Sequence, residues 1–165
     1  MSELRTNRIV PRDGLVSGAS GGVIQVVFFS LATGSTVTVN SSTFVDVLTA
    51  SITPTRSDSK ILVQVTSAPK TNGSSSNFKF GAQIQRDSTT IMYDNEYLQM
   101  NNGYAPNAFT GAYTVLDSPA SSSSLTYKFR VKETVDGREL YFENSTDNTG
   151  NYYNKHTMTL MEVSA

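Results

Sequence analysis

The chain of 165 residues balances 13 Lys and Arg against 14 Asp and Glu, which gives a formal net charge of −1. A chain of about this length fits one domain with a single core. The near-neutral charge disfavours nucleic acid or an anionic membrane as a partner, because both attract proteins through a positive field. Zero cysteines exclude disulfides, thiol catalysis and Cys-ligated zinc, and they fit assembly in a reducing cytoplasm.

Residues 1–22 contain Arg5, Arg8 and Arg12 but little that a core could bury. No apolar stretch of signal-peptide length follows these charges. The longest apolar run, residues 26–29, is far shorter than the about 20 residues that a membrane span needs. We therefore expect residues 1–22 to be an extended docking arm and residues 23–165 to be the folded domain.

The first strong apolar run begins with VIQVVFFS at residue 23, and it predicts a strand over residues 23–31 with apolar side chains on both faces. A strand in a sandwich has one core face, so its second apolar face needs a cover. Another subunit, the N-terminal arm or the domain's own loops could supply that cover. We expect another subunit, and we expect the homo-oligomer to be a trimer. The predicted interface residues are Ile24, Val26, Phe28 and Phe29.

Further along the chain, apolar and polar residues alternate, as expected for half-buried strands. The alternation is clearest in SLTYKFRVKE, residues 124–133. The other predicted strands span residues 36–39, 44–53, 60–65, 77–86, 89–93, 109–116, 139–143 and 156–163. Clusters of Gly, Ser, Asn, Asp and Pro separate them, and Asp136-Gly137 predicts a tight hairpin. No segment keeps an apolar stripe at helical spacing, so we predict an all-β antiparallel sandwich, with a jelly roll as the expected arrangement.

The sequence contains no convincing catalytic or metal-binding pattern. GASGG at residues 18–22 matches G-x-S-x-G, but a nucleophile elbow needs a strand before it and a helix after it, whereas here a strand follows. His156 is the only histidine, so a Ser20 nucleophile would have a single possible base. Neither Asp94 nor Asp147 begins a complete calcium loop. We predict no enzymatic activity, no cofactor and no metal.

Two kinds of surface feature suggest recognition. Two predicted loops combine tyrosines, which supply apolar area and a hydroxyl, with amides and carboxylates that suit hydroxyl-rich ligands. The alternative is that these tyrosines close the ends of the sandwich. Candidates for contact with a host glycan or protein are Tyr93, Asp94, Asn95, Glu96, Tyr97, Tyr104, Tyr152 and Tyr153. Lys128, Arg130 and Lys132 form a basic row, which is typical of a solvated face, since phosphate binding would need aromatic platforms or more cations.

Three segments carry a family resemblance: TFVDVLTASITPTRSDSKILVQV at residues 43–65, LDSPASSSSLTYKFRVK at 116–132 and MTLMEV at 158–163. They resemble small tail-fibre-like and surface structural proteins of marine and cyanobacterial phages. In that group a SITP…SSSKILV hairpin, an LDSPA…TYK hairpin and a terminal ITAMEI-like strand recur. The resemblance covers about residues 23–163, and its motifs are structural.

The opening segment also resembles the N-terminal segments of those proteins, which lead from a virion-docking arm into the first strand. The resemblance implies that Leu4, Ile9 and Val10 are apolar anchors and that Arg5, Arg8 and Arg12 pair with a partner. An arm with too little apolar surface to order itself gains order from such a partner.

The function that we expect from this resemblance is a non-enzymatic virion protein assembled in the host cytoplasm. It would be a short tail fibre or knob-like surface protein that docks by its arm to tail, baseplate or capsid and contacts the host. One alternative is a capsid decoration protein. A second, from another class, is a free carbohydrate-binding module, which would have no use for the arm.

Overall fold

The computed structural model describes residues 22–71, 78–100, 110–134, 139–146, 152–153 and 156–165. These residues form strands and no helix, and therefore no helix in these ranges could cross a membrane. The strands are β1 (Val23–Ser30), β2 (Thr36–Val39), β3 (Val45–Ile52), β4 (Lys60–Ser67), β5 (Lys70–Thr71), β6 (Phe78–Arg86), β7 (Thr89–Met100), β8 (Gly111–Asp117), β9 (Leu125–Glu133), β10 (Leu140–Glu143), β11 (Ser145–Thr146), β12 (Tyr152–Tyr153) and β13 (Thr157–Val163).

Two four-stranded antiparallel sheets form the body of the domain. The first has the order β1-β13-β4-β8 and the second has the order β3-β9-β6-β7. The strand pairs are nested, because β6 and β7 form the innermost hairpin and the pairs β4–β8, β3–β9 and β1–β13 follow outward. A long antiparallel hairpin folded over on itself in this way is a jelly roll. The predicted all-β antiparallel sandwich is confirmed.

The core lies between the inner faces of the two sheets. In β9 every second side chain is buried, and Tyr127, Phe129 and Val131 have no exposed surface. The ring of Phe129 meets the ring of Phe142 edge to face, with 6.3 Å between the centroids. Phe142 belongs to the small sheet β2-β10-β5, so this contact joins that sheet to the main core.

Each predicted strand is present, but two predictions about the segments between strands are wrong. The segment from Tyr93 onward was expected to be a loop, whereas β7 continues to Met100. A bulge between Phe80 and Ala82 interrupts the pairing of β7 with β6, and the pairing then continues to Met100. These hydrogen bonds satisfy the backbone N–H and C=O groups of β7 whatever side chains the strand carries. The tight hairpin predicted at Asp136-Gly137 is also wrong, because the strands on its two sides do not pair with each other: β9 pairs with β3 and β6, while β10 pairs with β2 and β5. Residues 136–137 themselves lie outside the described residues.

Candidate functional site: the outer faces of the two sheets

The outer face of the first sheet, called the apolar face below, carries a row of large apolar side chains. Val26 lies opposite Met161, Met161 opposite Leu62, and Leu62 opposite Leu116, so the row crosses all four strands. At its two ends Val26 is 56% exposed and Leu116 is 54% exposed. Val23 and Phe28 add exposed apolar surface beside the row on β1, and Phe28 is 65% exposed.

The apolar face is also almost free of charge. The next row along the sheet consists of Phe28 and the neutral polar residues Thr159, Gln64 and Thr114. Lys60 opposite Val163, at one corner, carries the only charge among the outward side chains of these described strands. A second neutral surface could therefore approach without desolvating any other charge.

The residues predicted as an oligomer interface take three different positions. Val26 and Phe28 are exposed on the apolar face. Ile24 lies at a β-bulge between Val23 and Gln25 and is partly buried. Phe29 lies on the opposite side of β1, opposite Met158, and packs against the core. Phe29 therefore stabilises the domain itself, while the interface through β1 stays a prediction.

A buried carboxylate fixes β1 to the rest of the first sheet. Glu162 of β13 has no exposed surface and accepts hydrogen bonds from Gln25 Nε2 at 2.6 Å and from the Thr55 backbone N–H at 2.8 Å. The Thr55 hydroxyl donates a third bond at 2.8 Å. Burial alone would raise the pKa of Glu162, but its hydrogen bonds outweigh that effect and lower the pKa below its ordinary value. The charged carboxylate thus holds the edge strand that carries Val26 and Phe28.

The outer face of the second sheet, called the charged face below, has the opposite chemistry. Asp46 of β3 accepts bonds from Lys128 Nζ at 2.6 Å and from Arg130 Nε at 2.5 Å. Partial burial raises the pKa of Asp46, but these two cations outweigh it and hold the pKa below its ordinary value. Lys79 forms an ion pair with Glu96. The basic row predicted from the sequence is therefore largely neutralised by carboxylates.

Lys132 differs from Lys128 and Arg130 in having no carboxylate partner among the described residues, although Arg130 also lies 5.8 Å from the centroid of the Phe44 ring. The Lys132 ammonium lies 5.0 Å from the centroid of the Phe44 ring and 5.7 Å from that of the Tyr93 ring. The two rings meet edge to face at 6.1 Å, and the Tyr93 hydroxyl donates to Asn95 Oδ1 at 2.8 Å. Tyr93 is 51% exposed. Phe44, Tyr93 and Lys132 are called the Tyr93 cluster below.

Two of the predicted contact residues, Tyr97 and Asp94, make contacts within the domain. The Tyr97 ring packs against the rings of Tyr113 and Phe129, with both centroid distances 5.7 Å, and its hydroxyl lies 2.5 Å from that of Ser67. Burial raises the pKa of Tyr97 to about 12. Asp94 Oδ2 accepts a hydrogen bond from the Tyr113 hydroxyl at 2.5 Å. These contacts fit the alternative in which the tyrosines close the end of the sandwich.

Asn95 and Glu96 are exposed beside Tyr93. Tyr152 and Tyr153 form β12, which pairs with β11, and their side chains lie outside the described part of the structure. Tyr104 and the predicted arm residues Leu4, Arg5, Arg8, Ile9, Val10 and Arg12 lie outside the described residues.

His156 is fully buried and both of its ring nitrogens are hydrogen bonded. Nδ1 accepts a hydrogen bond from the backbone N–H of Ala68 at 3.3 Å. In the neutral ring Nε2 therefore carries the hydrogen, and it donates a hydrogen bond to the Glu143 carbonyl at 3.1 Å. Burial lowers the pKa of His156, although the nearby Glu143 opposes the shift. The ring therefore joins the start of β13 to β10 and to the end of β4.

Within the described ranges, no three His, Asp or Glu side chains come together in a way that could hold a metal ion. No protein-family model matches the chain, and no curated protein does. Among solved structures, chains of two infectious bursal disease virus (IBDV) structures are similar. One is the T13 IBDV viral particle, with 10% identity, a TM-score of 0.45 and coverage of 97% of this chain and 44% of that chain. The other is the Gx strain, with 11% identity, a TM-score of 0.44 and coverage of 98% and 41%. The chain thus spans less than half the length of either viral chain.

Proposed function

We propose that the chain is a non-enzymatic structural protein of a phage virion. In this proposal it is a short tail fibre or knob-like surface protein that docks by residues 1–22 and displays the jelly roll outward. The observation that carries the proposal is the apolar face, because a contiguous exposed apolar patch on a sheet marks a surface that another protein covers. The resemblance of residues 23–163 to virion surface proteins supports the virion as the setting.

The partner proposed for the apolar face is further copies of the same chain, assembled as a trimer. The face is neutral apart from Lys60, so identical copies can meet without repulsion between like charges. The N-terminal arm fits the face less well, because the described residues of the face offer no outward carboxylate to Arg5, Arg8 or Arg12. Those arginines are better used against another virion protein.

The first experiment locates the protein on phage particles by electron microscopy with gold-labelled antibodies raised against the purified chain. Labelling at the tail or baseplate supports the fibre or knob. Labelling spread over the head would replace it with the capsid decoration protein, in which the same arm would grip the capsid. Particles free of label, in a preparation where the free protein is labelled, would overturn the virion assignment.

The second experiment measures the solution mass of the full chain by light scattering during gel filtration. The expected value is three times the 17.9 kDa of one chain. Persistence of this mass on dilution would indicate a stable interface. A mass of one chain at every concentration would contradict the assembly through the apolar face, whatever the antibody labelling shows.

A further inference from the structure

Among the described residues of the charged face, one cation has no carboxylate partner. Lys128 and Arg130 share Asp46, and Lys79 pairs with Glu96. In contrast, Lys132 has no carboxylate partner among the described residues and lies against the two aromatic rings of the Tyr93 cluster. Aromatic faces attract an ammonium but accept none of its three N–H bonds as a carboxylate would. Lys132 therefore keeps donors for an external acceptor.

The strand register explains why these three side chains meet. Val45 lies opposite Val131, which places Phe44 beside Lys132 at the next outward position. On the other side of β9, Lys132 lies opposite Gly81 of β6. Because Gly81 has no side chain, the position on β6 opposite Lys132 leaves room for the Lys132 side chain, whose ammonium lies 5.7 Å from the centroid of the Tyr93 ring on β7. A Cβ at Gly81 would lie only 3.2 Å from the Asp94 carbonyl oxygen, so the same glycine also allows the close approach of β7.

The Tyr93 ring is a fixed and accessible platform. Its hydroxyl is bonded to Asn95, and its ring is held by Phe44, yet half of the side chain is exposed. A ring of this kind packs against the C–H face of a sugar, while neighbouring amides bind the hydroxyl groups. Asn95, which is exposed beside the ring, supplies such an amide.

We propose that the Tyr93 cluster binds a carboxylate-bearing saccharide, with the sugar ring on Tyr93 and the carboxylate on the Lys132 ammonium. The proposal rests on the proposed function, because it names the class of host-surface ligand that a displayed virion protein would contact. Nucleic acid fits the cluster less well, since Lys128 and Arg130 are already paired and a strand of phosphates needs several free cations. The cluster lies on the sheet opposite the apolar face, so assembly through that face leaves it open.

The test is a calorimetric titration of the full-length protein with three probes: an oligosaccharide of glucuronic acid, a neutral glucose oligosaccharide of the same length, and inorganic phosphate. We expect binding of the glucuronic acid oligosaccharide alone. Lys132→Gln and Tyr93→Ala should each weaken it by at least about tenfold, because each removes one of the two contacts. Tyr93→Phe keeps the ring and should retain most of the affinity.

Lys128→Gln is the matched control, because Lys128 belongs to the same strand and face but is paired with Asp46. It should change the affinity by no more than about twofold. Equal binding of the neutral oligosaccharide or of phosphate would overturn the proposal. So would an affinity that Lys132→Gln and Tyr93→Ala leave unchanged while their thermal unfolding matches that of the wild type.

The outcomes for this site and for the proposed function can be separated. If the protein is a trimer and the antibodies label phage tails, but the protein does not bind the glucuronic acid oligosaccharide, the site is refuted and the virion role remains. A monomer that binds the glucuronic acid oligosaccharide through Tyr93 and Lys132 would refute the assembly and leave the site intact. If the trimer does form, three sites on one particle would raise the apparent affinity for a polymer over that for a short oligosaccharide.

Discussion

The apolar face and the charged face belong to antiparallel sheets of four strands each, yet one exposes large apolar side chains to water and the other exposes charged side chains. On the apolar face the row from Val26 to Leu116 exposes large side chains, and Lys60 is the only charged outward side chain among the described residues of its four strands. On the charged face Asp46 is bonded to two cations at the corresponding outward positions of its own sheet. The inner faces of both sheets supply apolar side chains to one shared core.

The difference shows that exposure of an apolar residue in a jelly roll is informative only when its neighbours are known. Tyr93 and Phe28 are both more than half exposed. Tyr93 is surrounded by a cation and an amide, which suits a polar ligand, whereas Phe28 continues a neutral apolar surface, which suits a protein partner. The two faces are therefore expected to serve different partners at the same time.

The largest expected effect follows from a charge placed on the apolar face. Phe28→Asp should convert the trimer to monomers, because each copy would bury an unpaired carboxylate at the interface. Thr49→Asp is the control, since Thr49 is exposed at an outward position of the charged face. Light scattering of both variants and a circular dichroism check of folding make the comparison. A wild-type trimer that Phe28→Asp leaves intact would place the interface elsewhere.

The next effect concerns the carboxylate that holds β1 in place. Glu162→Gln should lower the free energy of unfolding by about 2 kcal/mol, because hydrogen bonds to a charged acceptor are replaced by weaker ones. The new amide would also place a donor where Gln25 Nε2 now donates. Urea unfolding measures the change. Glu96→Gln, on an exposed carboxylate of the charged face, should change it little, and equal losses in the two variants would contradict this account.

The strands of both sheets could be predicted from the sequence because one face of each strand is buried. Tyr127, Phe129 and Val131 alternate with polar residues, and the structure buries all three. The second apolar surface of β1 could also be predicted, since Val26 and Phe28 are both apolar. The position of Ile24 could not, because a bulge shifts the register at that point. Bulges depend on the partner strand and leave no sure mark in a single sequence.

The Tyr93 cluster could not be predicted because Tyr93 and Lys132 come from two different strands and Phe44 directly precedes a third. Phe44 and Lys132 are far apart in the chain and meet only through the pairing of β3 with β9. The basic row was visible in the sequence, but the aromatic platforms that it needed were not. Likewise, the loop expected from Tyr93 onward is a strand, so Asp94 and Tyr97 face the core region while Tyr93 faces outward.

A smaller effect, the pH dependence of the free energy of unfolding, tests the contacts of His156 at the start of β13, which is one of the four strands of the apolar face. Because burial lowers the pKa of His156 in the folded protein, only the unfolded chain gains a proton as the pH falls below about 6.5. The contribution of His156 to the free energy of unfolding is therefore fully present above that pH. It is lost as the pH falls towards the pKa of His156 in the folded protein, by at most about 1.4 kcal/mol per pH unit.

Chemical unfolding at pH 7, 6 and 5 measures this slope. His156→Gln removes the titrating group and should flatten the slope between these values, even if the variant is less stable at pH 7. The same slope in wild type and variant would show that another group titrates. The charged face should contribute little in this range, because the pKa of Asp46 lies below its ordinary acidic value.

The smallest effect is expected from the ion pairs of the charged face. Asp46→Asn should lower the free energy of unfolding by less than about 1 kcal/mol, since the side chains of Asp46 and its two partners are 24% to 35% exposed and water screens them. Arg130 also keeps its bond to Gln85 Oε1 at 3.0 Å. The loss should shrink further between about 0.01 M and 1 M salt, as the Debye length falls from about 30 to 3 Å.

Urea unfolding of the wild type and of Asp46→Asn at both salt concentrations measures this loss in the free energy of unfolding. A large loss that salt does not reduce would mean that the charged face is covered by a partner as the apolar face is. A small and salt-sensitive loss would mean that Asp46 serves mainly to neutralise Lys128 and Arg130. In that case the variant should also bind the glucuronic acid oligosaccharide more tightly than the wild type, because two further cations near Lys132 would lose their carboxylate.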